Sequence, residues 1–288
     1  MIDEERLAER LVSQLAACTR PVVAFSGGVD SALVAKAAYL AHGRDAVAVT
    51  AIGPAVAADE RVIAERVAHE IGIRHELLAT HEWRRPAYRR NAPDRCFHCK
   101  SELYGAITAW LDAQGESERE ILSGANQDDL GDYRPGLQAA SDFRVRHPLV
   151  ECRLGKESVR RLARYWQLPV WDKPASPCLA SRIAYGVEVT PDRLRRIEAA
   201  ESILRERGFA VVRVRLHADD LARIEVPRDE LGRLVERLDE RLVERLKQLG
   251  FRRVTVDLEG YRSGSLNEFL PVDMLARSVA KATADRDT

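Results

Sequence analysis

The sequence lacks any apolar run long enough for a membrane span: its hydrophobic stretches are short and cut by charge, far below the ~20 residues needed. It also lacks net charge, with 45 basic against 45 acidic side chains, so no global pull toward nucleic acid is expected. Arginine-rich stretches such as Arg193 to Arg196 have acids close by and read as a solvated, ion-paired helix face. There is no homopolymeric tract and no internal repeat. A secretory leader is not expected, because Met1-Ile2-Asp3-Glu4-Glu5 is acidic and runs into an amphipathic stretch. A cytoplasmic location is the expectation. Two nucleotide-binding signatures are missing as well. With neither G-x-x-x-x-G-K-S/T nor G-x-G-x-x-G in the chain, a Walker loop and a dinucleotide fingerprint are excluded.

What is present fits an ordinary globular protein of 288 residues, 45% apolar and 31% charged, long enough for two domains. The first half alternates strand-like and helix-like segments. Pro21 to Phe25 reads as a buried parallel strand, and Ala46 to Ile52, Arg74 to Ala79 and Glu120 to Ser123 read as further strands. Helices are expected over Asp30 to Ala41, Asp59 to Ile71, His98 to Leu111 and Lys156 to Trp166. Such βα repetition predicts an α/β fold with a doubly wound parallel sheet. The second half changes character. Thr190 is suited to cap a long helix with Pro191 at its first position and Gly208 as its stop. Strands over Val211 to Leu216 and Leu221 to Val226, a charged helix from Arg228 to Leu249 and a strand from Phe251 to Leu258 follow. This ββαβ order predicts a smaller C-terminal α+β domain. The boundary is placed near Tyr185-Gly186, giving domains 1-185 and 186-288, with a frayed tail from Arg277 to Thr288.

The segment Ser26-Gly27-Gly28-Val29-Asp30-Ser31 falls between the first strand and the first helix, at the carboxyl end of a parallel strand, where open α/β sheets bind ligands. Adjacent glycines let the backbone turn tightly with its N–H groups inward, the helix adds a positive N-terminal end, and two serines add hydroxyls. Together these make an anion cradle. Asp30 would repel a bare phosphate and so points to Mg²⁺ or an oriented hydroxyl nearby. Asp128 and Asp129, in the polar loop after the fourth strand, are candidates to reach ATP or Mg²⁺, with a capping or turn role an equal alternative.

The five cysteines are Cys18, Cys96, Cys99, Cys152 and Cys178. An odd number in a reducing compartment reads as core residues, metal ligands or nucleophiles rather than a disulfide frame. Cys96-Phe97-His98-Cys99 is a C-x-x-C that admits redox chemistry or zinc or iron–sulfur ligation. Three cysteines are too few for an all-cysteine zinc site and suit a cluster with one open iron. Cys18 and Cys152 read as packing residues.

The Ser26–Ser31 string resembles the PP-loop of the ATP pyrophosphatase superfamily, whose members cleave ATP between its α- and β-phosphates and adenylate a substrate. With the loop beginning within the first thirty residues, no glutaminase domain is expected before it. Pro174-Ala175-Ser176-Pro177-Cys178-Leu179-Ala180-Ser181-Arg182 followed by Tyr185-Gly186 is similar to the LarE family. So are Asp132-Tyr133-Arg134-Pro135-Gly136, Arg213-Val214-Arg215 and Gly260-Tyr261-Arg262-Ser263-Gly264, and the resemblance runs to about Asn267.

LarE proteins are sulfur transferases of nickel-pincer nucleotide synthesis, the cofactor of lactate racemase. The resemblance implies that both carboxylates of pyridinium-3,5-biscarboxylic acid mononucleotide are adenylated and become thiocarboxylates. One branch of the family gives up the sulfur of its own cysteine, here Cys178. Another uses a 4Fe-4S cluster on three cysteines, here Cys96, Cys99 and Cys178, and the C-x-x-C favours that branch. The resemblance further implies phosphate or substrate contacts for Arg213, Arg215, Arg262, Ser181 and Arg182, a place near the reacting sulfur for Lys100, and a divalent-cation role for Glu201. A separate sulfide source and a homo-oligomer are expected, with no nucleic-acid or membrane partner. A tRNA thiolase and a non-catalytic nucleotide sensor are the remaining alternatives.

Overall fold

The computed structural model describes residues 2–131 and 134–262. Asp132, Tyr133, Ser263, Gly264 and the expected tail lie outside them. In chain order the elements are α1 (Ile2–Ala16), β1 (Val22–Ala24), α2 (Val29–His42), β2 (Val47–Ile52), α3 (Ala58–Ile71), β3 (Arg74–Ala79), α4 (Pro86–Arg89), α5 (Arg95–Ala113) and β4 (Ile121–Leu122). They continue with α6 (Pro135–Asp142), α7 (Pro148–Glu151), α8 (Lys156–Tyr165), α9 (Pro191–Glu206), β5 (Arg213–His217), β6 (Leu221–Glu225), α10 (Leu231–Arg237), α11 (Glu240–Gln248) and β7 (Arg253–Val256). The chain divides into two compact units. The first holds residues up to Glu82 and Cys96–Ser176, and the second holds Trp83–Arg95 with the described residues from Pro177 on.

The first unit is built on a parallel sheet of order β3-β2-β1-β4, with Val22 opposite Val47 and Ile121 on its two sides. Residues of β1 and most of β2 are apolar and buried, because both faces are covered there, whereas the edge strand β3 carries Arg74, His75 and Glu76. On one face α1, α2, α3 and α8 pack around Leu11, Leu33, Val34, Val67 and Leu162. On the other, Leu103, Ile107 and Leu111 of α5 and Ala139 and Ala140 of α6 cover Val22, Val47 and Val49. The α/β doubly wound arrangement expected from the sequence is therefore the fold. Helix α2 is nearly all small or aliphatic side chains, with Ala32, Ala35, Ala37 and Ala38 fully buried, so it can sit close on the sheet between two neighbours. Removing one of its large side chains, as in Leu33→Ala, is expected to cost about 2–5 kcal/mol.

The second unit carries a three-stranded sheet of order β5-β6-β7, antiparallel between β5 and β6 and parallel between β6 and β7. Thr190 caps α9 as expected, its hydroxyl accepting from the Arg193 N–H at 3.3 Å, with Pro191 at the first helical position. The continuous helix expected over Arg228 to Leu249 is a misreading. The segment is a 3₁₀ turn (Arg228–Glu230), then α10, then α11, broken at Leu238-Asp239. The Asp239 carboxylate accepts from the Leu242 N–H at 2.7 Å and starts a new helix. A short acid competes for backbone donors more effectively at a cap than inside a helix. Helices α6 and α7 have no counterpart among the expected elements. Each begins with a proline at its first turn, Pro135 and Pro148, a start signal passed over in the sequence. No described helix is long and apolar enough to cross a membrane.

Candidate active site

In the first unit, Ser26 to Ser31 bridges β1 and α2 at the carboxyl end of the parallel sheet. Gly28 is the N-cap of α2 and has no side chain with which to satisfy the helix's first amides, which leaves them for a ligand. Ser31 is buried and organises the turn: its hydroxyl donates to the Gly28 carbonyl at 3.1 Å, accepts from the Ser26 N–H at 3.2 Å and lies 3.1 Å from the Ser26 hydroxyl. Ser26 itself is exposed. Gly27 has φ +70°, and a Cβ there would lie 2.7 Å from the Ala64 Cα of α3, so no other residue fits. Behind the loop Gly124, just past β4, closes on the backbone, where a Cβ would meet the Ser31 nitrogen at 2.7 Å. The cradle is thus made by close backbone approach from α3 and from the β4 loop.

Asp30 lies in the first turn of α2. Its Oδ1 accepts from the buried Asn126 amide at 3.1 Å, and its Oδ2 is paired with Lys156 Nζ. Asp128, expected near ATP or Mg²⁺, places Oδ2 2.7 Å from the Lys156 backbone N–H, where it caps α8 in place of the side chain that Gly155 lacks. Asp129 accepts from the Asn126 N–H at 3.0 Å and pairs with Arg134 at 2.7 Å. Sequence reasoning missed Lys156 and Asn126 because neither belongs to the loop motif. Cys96 and Cys99 occupy the first turn of α5 at a spacing of three, which puts them on one face of the helix; Cys96 is exposed and Cys99 half-buried. The His98 ring packs edge-on against Phe97 at 5.4 Å. Exposed Lys100, one residue further, lays its stem along Gly136.

In the second unit Cys178 is exposed and precedes the 3₁₀ turn Leu179–Arg182. Arg182 is buried and braces this turn. Its Nη1 donates to the carbonyls of Pro177 and Cys178, the latter at 3.1 Å, and to the Ser181 hydroxyl at 3.2 Å. Its other edge forms a two-pronged pair with the fully buried Glu201 at 3.0 and 3.3 Å. Glu201 also accepts from Arg205 at 2.8 Å and from the Val214 N–H at 3.2 Å. A divalent cation at Glu201 would have to displace two guanidinium groups, so its carboxylate does not fit the metal role expected of it.

Arg215 is likewise committed, to Glu225 at 2.8 Å and to the Ser181 carbonyl at 3.0 Å. Arg213, on the same strand, is different. It is half-buried, donates to the Val212 carbonyl at 2.8 Å and lies over the Tyr261 ring at 5.2 Å. Burial, and then the neighbouring Arg182 charge, push its pKa down. Such a site favours an incoming anion. Arg262 is exposed and pairs with Glu259.

The remaining cysteines behave as core. Burial pushes the Cys18 thiol up to about 11 and raises that of Cys152. Both lie in the cluster formed around α1, α2 and α8. Among the described residues no group of three or more His, Cys, Asp and Glu side chains is gathered closely enough to hold a metal ion.

A parallel sheet whose first strand opens into a Ser-Gly-Gly-Val-Asp-Ser phosphate cradle defines the class: ATP-using enzymes of the PP-loop kind. In agreement, residues 4–88 match the asparagine synthase family model. The chain is 45% identical over 252 residues to an uncharacterized protein of Synechocystis, covering 87% of this chain and 93% of that one. It is 37% identical over 267 residues to the pyridinium-3,5-bisthiocarboxylic acid mononucleotide synthase of Lactiplantibacillus plantarum, covering 92% and 95%. An uncharacterized protein of Methanocaldococcus jannaschii is 30% identical over 174 residues, covering 60% and 66%. The chain belongs to the LarE family of ATP-dependent sulfurtransferases.

Proposed function

We propose that the protein converts the carboxylates of pyridinium-3,5-biscarboxylic acid mononucleotide to thiocarboxylates at the expense of ATP, taking sulfur from a 4Fe-4S cluster on Cys96, Cys99 and Cys178. The observation that carries this reading is in the second unit. An exposed thiol, Cys178, sits on a turn braced by the buried Arg182–Glu201 pair, and Arg182 in turn neighbours Arg213, whose half-buried guanidinium suits a substrate phosphate.

The first unit supplies the nucleotide half. The backbone amides at the start of α2, with Ser26 and Ser31, hold the ATP phosphates, and the substrate carboxylate attacks the α-phosphorus. The bond from the α-phosphorus to its bridging oxygen breaks and pyrophosphate leaves. Mg²⁺, when bound, offsets the charge gathering on that leaving group, with Asp30 the loop carboxylate able to hold it. Sulfur then attacks the acyl carbon of the adenylate, and AMP departs. In this reading Arg213 and Arg262 orient the mononucleotide, Arg215 braces the Ser181 turn through the Ser181 carbonyl, Ser181 and Arg182 follow the reacting cysteine, and Lys100 serves the sulfur transfer.

The chemistry of the thiols supports the ligand set. Cys96 and Cys178 are exposed and Cys99 half-buried, whereas Cys18 and Cys152 are buried with raised pKa values. Coordination requires accessible groups that can ionise. When bound, the cluster supplies sulfur already deprotonated, which a lone thiol of ordinary pKa ~8.5 does not. A second reading, with Cys178 giving up its own sulfur, is favoured by the exposure of that thiol alone. Anaerobic purification with iron and sulfide analysis separates the two. About four irons per chain, lost in Cys96→Ala, Cys99→Ala and Cys178→Ala, and many turnovers with added sulfide are expected for the cluster. A colourless protein that resists reconstitution, stops after one turnover and loses the mass of H₂S establishes the sacrificial route instead.

A further inference from the structure

The loop carboxylate Asp30 already has a cationic partner. Lys156 Nζ is paired with its Oδ2, while its Oδ1 is held by the Asn126 side-chain amide at 3.1 Å. Lys156 is the first residue of α8, and Asp128 fixes its backbone N–H at 2.7 Å. The root of the side chain is therefore pinned while its four-carbon stem remains free to turn. The two side chains are 37% and 23% exposed, so solvent screens the pair and little is lost when it opens. Asn126 is buried and keeps Asp30 in place when the lysine leaves.

Asp30 belongs to the six-residue cradle to which the proposed function assigns the ATP phosphates. An ammonium in contact with Asp30 is thus within a short swing of phosphate oxygens held by the same loop. Bringing a polyphosphate beside Asp30 without a cation opposes like charges at contact distance, where the repulsion is strongest.

We propose that Lys156 is the pyrophosphate-side cation of the ATP site. It neutralises Asp30 when no nucleotide is bound, and it swings onto the β- and γ-phosphate oxygens when ATP enters, leaving Asp30 to the metal that accompanies the nucleotide. This rests on the ATP half of the function proposed above and is independent of the sulfur chemistry.

Calorimetric titration of the purified full chain with Mg-ATP, pyrophosphate and AMP, without the mononucleotide, tests the assignment in wild type, Lys156→Met and Lys156→Arg. The expected result is at least a tenfold loss of ATP and pyrophosphate affinity in Lys156→Met, unchanged AMP affinity, and partial recovery in Lys156→Arg. Melting temperatures of the three proteins serve as the folding control. ATP affinity unchanged in Lys156→Met, or ATP and AMP affinity lost equally, overturns the assignment and leaves Lys156 as a structural partner of Asp30. A wild-type protein that binds none of the three ligands overturns the ATP reading itself.

Discussion

Arg182 and Glu201 form a two-pronged ion pair whose side chains are 3% and 0% exposed, and through it the turn carrying the Cys178 thiol is tied to α9. The pair is a positioning device. One edge of the guanidinium is anchored on the carboxylate, and the other collects the carbonyls that lead into the cysteine. Removing Glu201 strands the buried Arg182 guanidinium without its carboxylate, whereas Glu201 keeps Arg205 when Arg182 is removed. Glu201→Ala is expected to cost about 3–5 kcal/mol, read as a shift of the urea midpoint, and Arg182→Met/Glu201→Leu to cost much less than the sum of the singles. A double variant as unstable as the added singles would remove the pair from this role.

Gly27 makes a second prediction. Ala at this position takes a backbone φ of +70° and brings its Cβ 2.7 Å from the Ala64 Cα. The loop must shift to relieve the contact, so Gly27→Ala is expected to abolish measurable ATP binding while costing about 1–3 kcal/mol of stability. Ala64→Gly in the same chain removes only the Ala64 Cβ and leaves its Cα and nitrogen at 2.7 and 3.0 Å, so little binding should return. Full recovery would show that the backbone contact is not what excludes a side chain at Gly27.

The cysteines separate by accessibility. Iodoacetamide at pH 8 on cluster-free protein is expected to modify Cys96 and Cys178 and to leave Cys18 and Cys152 intact, as read by peptide mass analysis. The buried thiol of Cys18 has its pKa raised to about 11 by desolvation. Its contribution to stability is complete below the unfolded thiol's pKa and is lost as pH rises through about 11 in the folded state. Cys18→Ala should therefore flatten the alkaline limb of the stability profile between those two values. An unchanged limb would assign that loss to other groups.

Asp239 ends one helix and starts the next. Asp239→Ala removes the acceptor for the Leu242 N–H and one partner of Arg207, and a loss of about 1 kcal/mol is expected in thermal unfolding. A substitution without effect would show that the break at Leu238-Asp239 is set by packing rather than by the cap.

Much of the first unit was legible before any coordinates. Composition and period marked β1, β2, α2 and α3, because a parallel strand covered on both faces is largely apolar and a helix on that sheet must show an apolar face; β3, a half-polar edge strand, was legible from the alternation of strands and helices instead. The cradle was legible for a different reason: adjacent glycines between a strand and a helix have few other uses, and Gly27 meets α3 so closely that only glycine serves. Helices announced by a proline after a polar residue, α6 and α7, were missed because they are too short to show a period.

What remained for the tertiary structure was the pairing of charges. The chain has 45 basic and 45 acidic side chains, and nothing in their order says which arginine is consumed by a buried carboxylate and which keeps its charge available. Arg213 and Arg215 alternate on one strand and look equivalent in sequence. Glu225, opposite Arg213 in the register, turns its carboxylate to Arg215, and Arg213 is left against Tyr261. Lys156 and Asp30 are 126 residues apart and meet only because α8 returns to the end of the sheet beside the first loop. Local backbone form is decided by neighbours in sequence, so the chain alone determined the fold class and the phosphate loop. Ion pairs are decided by distance in space, so only folding settled which charged groups are free to act.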